Sequence, residues 1–281
     1  MTPRAPSVSA LPPAARLAAA ALRTVSRASF PVLLIALLRA IDPPLTPFVL
    51  GQGLFALALL PELCARLVLR AFAADVRVED GALRSTGALQ RVELERGALE
   101  RAQAWRLPLP SPGLSLRLRS GARLGVGLAA PDPSVLHALL AQAGAATPAP
   151  GDAASAFARA RAACPRRWWD RSLVKIGLAS LVPGAIGFNA HQHIAFGGLL
   201  GEYYLMGLGA WLESAARYWA AGALYLLLWA GCLRVAVETL AWLGTGLAPA
   251  RAAAVRSAAE RSAALLYYAS IPLLLALRFL A

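Results

Sequence analysis

The spacing of apolar residues divides the 281-residue chain into three regions. Phe30–Ile41 and Leu45–Pro61 are nearly continuous apolar runs separated by Asp42-Pro43-Pro44. Consecutive prolines cannot continue a helix, and an aspartate before them suits a turn. With their flanks, Thr24 to Ile41 and Leu45 to about Ala65, the two runs approach the roughly 20 residues that cross a bilayer. Residues 28–72 therefore predict a transmembrane hairpin, with Gly51 and Gly53 permitting close helix approach. Residues 1–27 ahead of it carry Arg4, Arg16, Arg23 and Arg27 and no acid. The Leu17–Leu22 stretch is too short and Ala-rich for the core of a cleaved leader. This segment predicts a basic interfacial helix leading into the first span.

From residue 75 to 144 the period drops to two. Val76 and Val78 alternate with Arg77 and Glu79, and Val92 and Leu94 with Arg91, Glu93 and Glu95. Leu114, Leu116 and Leu118 alternate with Ser115, Arg117 and Arg119. Asp80-Gly81 and Ser120-Gly121 supply turns, the second leading into Leu124, Val126 and Leu128. Such alternation between glycine turns marks half-buried antiparallel strands. Asp132-Pro133 then opens a short helix whose apolar face is Val135, Leu136, Leu139 and Leu140.

Residues 145–171 form a linker and a basic juxtamembrane segment. Arg166, Arg167, Trp168, Trp169 and Lys175 form a membrane-entry signal, because tryptophan favours the headgroup layer and basic side chains reach lipid phosphates. Residues 172–281 predict about three further spans: one through Ile176–Phe188, one through Tyr218–Leu233 reaching toward Leu243, and a last one at Ala263–Leu280. Residues 189–213 are expected to lie at the outer face, as a loop or as an interfacial or re-entrant helix.

Composition supports a membrane location. Apolar residues make up 58% and charged residues 15%, with a mean hydropathy of +0.56. A soluble domain has about 25% charged residues. The net charge of +13 comes almost wholly from arginine, since Lys175 is the only lysine. Nine arginines and seven acids nearly balance within the strand region, so nucleic-acid binding is not expected. The arginines instead collect beside apolar spans, where anionic headgroups are the natural partner. All basic residues except Arg39, Arg217 and Arg278 can be placed on one side of the bilayer. That bias favours a cytoplasmic N-terminus and a cytoplasmic β domain. Cys64, Cys164 and Cys232 are isolated and suggest neither zinc nor a disulfide framework.

The fold class is thus a polytopic α-helical membrane protein of about five transmembrane helices with an inserted, small β-rich domain. The order of elements over roughly residues 28–143 resembles bacterial pleckstrin-homology-like membrane proteins, in which a transmembrane hairpin precedes a small barrel-like domain. The resemblance rests on that architecture and on Trp105-Arg106-Leu107-Pro108-Leu109-Pro110 followed by the Leu114–Leu128 hairpin. Prolines at 108, 110 and 112 depart from central-strand chemistry. The resemblance implies a cytoplasmic PH-like domain on a multi-pass protein of the bacterial inner membrane.

No phosphate-binding loop, nucleophile elbow or paired carboxylates occur, and no cofactor is expected. The candidate polar cluster is His191, His193, Glu202, Asn189 and Tyr203, with Gln192 and Tyr204 nearby. Two imidazoles and a carboxylate can hold a divalent metal or relay protons. Glu62 with Arg66, and Arg234 with Glu238, are spaced for local ion pairs. The leading expectation is a non-enzymatic scaffold or regulator that displays its β domain near anionic lipid to a membrane-protein partner. The alternative is a membrane enzyme or transporter subunit working through His191, His193 and Glu202.

Overall fold

The computed structural model describes residues 5–39, 46–79, 82–95, 97–130, 133–146, 152–164 and 168–280. The Asp42-Pro43-Pro44 and Asp80-Gly81 turns, Asp132, Arg166 and Arg167 lie outside them. The chain forms two compact units, one of Met1–Arg27, Leu57–Cys164 and Val237–Glu260, the other of Ala28–Ala56, Pro165–Ala236 and Arg261–Ala281.

The first unit is built on one antiparallel sheet of seven strands: β1 (Ala5–Leu11), β2 (Ala73–Glu79), β3 (Ala82–Gly87), β4 (Arg91–Leu94), β5 (Leu99–Ala104), β6 (Gly113–Leu118) and β7 (Arg123–Ala129). Their order across the sheet is β4-β3-β2-β1-β7-β6-β5. Alternate residues, among them Val76, Leu83, Leu114, Leu116 and Leu128, point into a core closed by α4 (Pro133–Gln142) through Leu136, Leu139 and Leu140. Each such side chain contributes roughly 1.5–3 kcal/mol on leaving water. Gly121, at positive φ, turns β6 into β7. The prolines at 108, 110 and 112 fall in the β5–β6 connection rather than in a strand, which removes their conflict with strand chemistry.

The N-terminal segment differs from the expected interfacial helix. Residues 5–11 are the strand β1, paired with β2 on one side and β7 on the other, and the helix begins only at Pro13. The short alternation of Val8, Ala10 and the intervening Ser9 sends Val8 and Ala10 into the core and leaves Ser9 on the opposite face. Because β1 precedes the predicted hairpin and β2 follows it, the hairpin is an insertion between two adjacent strands of the sheet.

The hairpin comprises α1 (Pro13–Leu38), α2 (Pro47–Gly53) and α3 (Leu60–Ala71), the last two joined by a wide π turn at Leu54–Leu59. Pro61 lacks the N–H that a regular helix would require and crowds the turn before it, and the widened turn accommodates this. Ser26 Oγ on α1 donates to the Ala58 carbonyl in that turn at 2.7 Å. The roots of α1 and α3 pack on the sheet face opposite α4. Leu11, Trp105 and Ala129 are buried there against Ala15, Leu69 and Phe72. The Trp105 ring lies over two glycines: a Cβ on Gly127 would come within 2.6 Å of it, and one on Gly113 within 2.7 Å. Its indole N–H donates to Ser115 Oγ at 3.0 Å, and the Arg16 guanidinium lies 3.8 Å above the ring centroid.

In the second unit, α6 (Leu181–Phe196) and the 201–236 part of α7 (Gly201–Leu247) approach closely, with Gly184 against the Trp219 backbone. A Cβ on Gly231 would overlap the Phe30 ring, and one on Gly53 would meet Leu33 at 3.2 Å. A second wide turn, Leu173–Leu178, precedes α6, and the Gly177 carbonyl accepts from both Ser180 Oγ and Trp219 Nε1. Side chains thus occupy carbonyls that hydrocarbon would leave unsatisfied. Gly207, at φ 86°, breaks α7 after its first turns.

Among the described residues, four helical stretches are long and apolar enough to cross a membrane: Pro13–Leu38, Pro47–Ala71, Leu173–Phe196 and Gly201–Leu247. The expected fifth span, Ala263–Leu280, lies on α8 (Ala252–Leu280), whose side chains beyond residue 272 are outside the described set. The protein is therefore a largely helical chain with the number of apolar helices a multi-pass membrane protein needs and an inserted seven-stranded sheet.

The two glycines of β7 separate packing from backbone effects. Gly127→Ala should destabilise the sheet unit by about 1–3 kcal/mol through overpacking against Trp105. Gly125→Ala meets nothing within 4 Å and should be neutral or stabilising by up to about 1 kcal/mol. Thermal unfolding in detergent, followed by tryptophan fluorescence, reads the difference.

Candidate functional site

The candidate polar residues sit on α6 and the first turns of α7, so residues 189–196 are helical. That placement decides which of them can meet. Residues two apart on a helix point about 200° apart, so His191 and His193 face different directions. His191 packs against Tyr218, with ring centroids 5.3 Å apart, and edge-on to Phe196 at 5.7 Å. His193 is exposed, and its Nδ1 lies 2.9 Å from the Asn189 carbonyl one turn back. Asn189 is exposed, and Tyr203 packs edge-on to Tyr204. Among the described residues, no group of three or more His, Cys, Asp or Glu side chains is arranged to hold a metal ion.

Glu202 instead joins Gln192 and Ser214. Its side chain is buried, with the residue only 5% exposed, and Gln192 between them is fully buried. Gln192 Nε2 donates to Glu202 Oε2, and Ser214 Oγ donates to Oε1 at 2.7 Å. Gln192 Oε1 in turn accepts from the Glu202 backbone N–H at 3.3 Å. Glu202 lies in the first turn of α7, where a carboxylate complements the free N–H groups and the helix dipole. The Gln192 amide therefore fastens the end of α6 to the start of α7 across Gly197, which closes α6 at positive φ, while the Ser214 hydroxyl ties together the two parts of α7 on either side of Gly207. Chemically this is a set of neutral donors on a buried carboxylate. Gln192 was visible in the sequence as a neighbour of the histidines, while Ser214, beyond the Gly207 break, carries no sequence signal.

Of the expected headgroup-contact residues, Trp168 is 63% exposed, and the side chain of Trp169 is not described. Lys175 Nζ pairs with Asp170 at 2.8 Å and lies 5.5 Å from the Tyr267 ring centroid. The Tyr267 hydroxyl donates to the Lys175 carbonyl.

A charged cluster in the first unit was not anticipated from the sequence. Arg256, on α8, has a side chain only 3% exposed and grips Glu238 of α7 through both carboxylate oxygens, at 3.0 and 3.1 Å. It also reaches Glu260 at 2.8 Å, and Arg161 of α5 (Ala153–Ala163) lies 3.8 Å from Glu238. Burial alone would lower the Arg256 pKa, but hydrogen bonds and charge from Glu238, with Glu260 adding to them, hold it above its ordinary value. The expected pair of Glu62 and Arg66 forms at 2.9 Å.

Comparison with protein-family models, curated proteins and solved structures found no match to the chain.

If the cluster serves as a helix fastener, Glu202→Ala strands the Gln192 amide and should cost about 1–3 kcal/mol. His193→Ala, at an exposed position, should stay within about 0.5 kcal/mol of the parent. Melting temperatures in detergent check both.

Proposed function

We propose that this is a multi-pass protein of the bacterial inner membrane, of scaffold or regulatory type, that holds a PH-like domain at the cytoplasmic membrane surface. The observation that carries this reading is the insertion of the apolar hairpin between β1 and β2. Leu11 is one residue from α1, and Ala73 is one residue from α3. The Ala10 N–H donates to the Phe72 carbonyl at 2.9 Å, which ties the two crossings together. A domain entered and left through two helices is joined to the hairpin at two points of the chain with one residue at each junction, and such a junction suits a docking platform better than a module on a long linker.

Seven antiparallel strands closed by one helix after the last strand support the PH-like reading. The compact unit that contains the sheet also gathers residues 5–27, the 152–164 segment and residues 251–260 at the start of α8. Those are segments that basic-residue bias assigns to the cytoplasmic side. The histidines and Glu202 are engaged with different neighbours, which gives the metal- or proton-handling alternative no geometric support.

A scaffold must touch a partner through the displayed sheet. Photo-crosslinking amino acids at the exposed strand positions Arg84, Arg101 and Arg117 should each be tested in whole cells. At least one should yield a discrete protein adduct, and Leu116→Asp, which unfolds the sheet, should abolish it. Absence of any protein adduct from all three positions, with the protein present at normal level, would contradict the scaffold reading.

A further inference from the structure

The connection between β5 and β6 has features that its role as a turn does not require. It is short of polar side chains, stiffened by Pro108, Pro110 and Pro112, and carries Leu107 at 54% exposure directly after Arg106. Pro110 and Pro112 are buried. Trp105 anchors one end of the connection, and the Ala130 N–H bonded to the Pro112 carbonyl at 3.0 Å anchors the other. Pro108 and Pro112 also border a small crevice with Ala154 and Ser155 at the start of α5. A loop held this firmly would be expected to tuck its leucine inward. This one holds it out.

The position of the loop identifies what Leu107 meets. The Arg23 guanidinium on α1 donates to the Pro110 carbonyl and lies 3.5 Å from Glu62 of α3. Glu62 in turn pairs with Arg66. Arg23 and Arg27 are the last charges before the apolar run of α1, and Glu62 is the first after the apolar run ending at Pro61. These side chains form the charged collar at one end of the hairpin's apolar stretch, the level at which a bilayer's headgroups lie. Through Arg23 the loop sits at that collar. The chain path agrees: α1 passes from Arg16 over Trp105 to Arg23 at Pro110, so the hairpin leaves the sheet at the β5–β6 end.

We propose that residues 106–111 rest in the headgroup layer of the bilayer that the hairpin crosses, with Leu107 reaching the acyl boundary and Arg106 meeting lipid phosphates. This rests on the reading of the hairpin as membrane-spanning. An exposed leucine gains from entering that boundary, and an adjacent arginine gains from anionic phosphate, so the dipeptide suits both layers. The loop gives the β domain a second point of contact with lipid, beside the helices themselves, and so fixes which edge of the sheet faces the cytosol.

The test uses the full chain with Cys64, Cys164 and Cys232 replaced, reconstituted in vesicles of phosphatidylethanolamine and phosphatidylglycerol. A polarity-sensitive fluorophore is attached in turn to Leu107→Cys, to Ala122→Cys and to Leu57→Cys. Ala122 is exposed in the β6–β7 turn, at the far end of the six-residue strand β6, and Leu57 is an exposed apolar position of the hairpin. Spin-labelled lipids report depth by quenching. The expected result is loss of most fluorescence at 107 with a headgroup-level quencher, loss at 57 with a quencher carried high on the acyl chain, and none at 122. Quenching at 57 without quenching at 107 would overturn the loop's role and leave the spanning hairpin standing. A blue-shifted but unquenched probe at 107 would overturn it too, by assigning Leu107 to a protein contact. No quenching at 57 or 107 would overturn the hairpin reading, and the loop inference with it.

Discussion

The structure depends on the pairing of β1 with β2 across an insertion of two helical crossings. Antiparallel neighbours joined by a hairpin are normally two to five residues apart. Here Ser9 pairs with Ala73, and everything between them is the membrane hairpin. The sheet cannot be completed without a strand that is made before the hairpin and a ladder that closes after it. Both faces of β1 are used: Val8 and Ala10 fill the core, while Leu11 joins Trp105 and Ala129 under the helix roots. Losing that strand would leave β2 and β7 with one open edge each and split the sheet along its middle.

This arrangement makes the sheet and the lower halves of α1 and α3 one mechanical body. The two glycines beside Trp105 let its ring approach β6 and β7 closely, and Arg16 of α1 lies 3.8 Å from the ring centroid. Ser9 Oγ reaches the Leu69 carbonyl on α3 at 3.0 Å. Elsewhere the same unit fastens α5 and the ends of α7 and α8 through Arg161, Glu238, Arg256 and Glu260. A buried arginine shared by two carboxylates is a costly way to gain stability, since desolvation offsets much of the Coulomb attraction. Its value lies in geometry, because a bidentate grip tolerates only one arrangement of the two helices. Rigid attachment of the helix roots to the sheet is the property that the proposed scaffold role requires.

Much of this was legible in the sequence where periodicity is local. The Leu114–Leu118 alternation, the Ser120-Gly121 turn and the Leu136, Leu139 and Leu140 face each report on residues a few positions away. β1 was not legible, because Val8 and Ala10 give too short an alternation and arginines flank it. Its pairing partners also lie some sixty residues or more downstream in sequence. The neighbours of the candidate site residues were not legible for a related reason. His191 and His193 look adjacent in a list but are separated by the turn of a helix, and Ser214, on the same helix as Glu202, reaches it across the break at Gly207. Arg256 and Glu238, eighteen residues apart on two different helices, meet through tertiary packing alone. Long-range polar partners are invisible to any pattern counted along one chain.

Covalent trapping of the strand pair that brackets the hairpin tests the central claim most directly. Antiparallel partners hold their Cα atoms about 4.5–5.5 Å apart, within the span of a disulfide. With the native cysteines replaced, Ser9→Cys with Ala73→Cys should cross-link almost completely under mild oxidation in native membranes. Ser9→Cys with Glu79→Cys, at the far end of β2, should not. Failure of the first pair to close, or equal closure of both, would show that β1 does not complete the sheet and would remove the basis for a rigidly mounted domain.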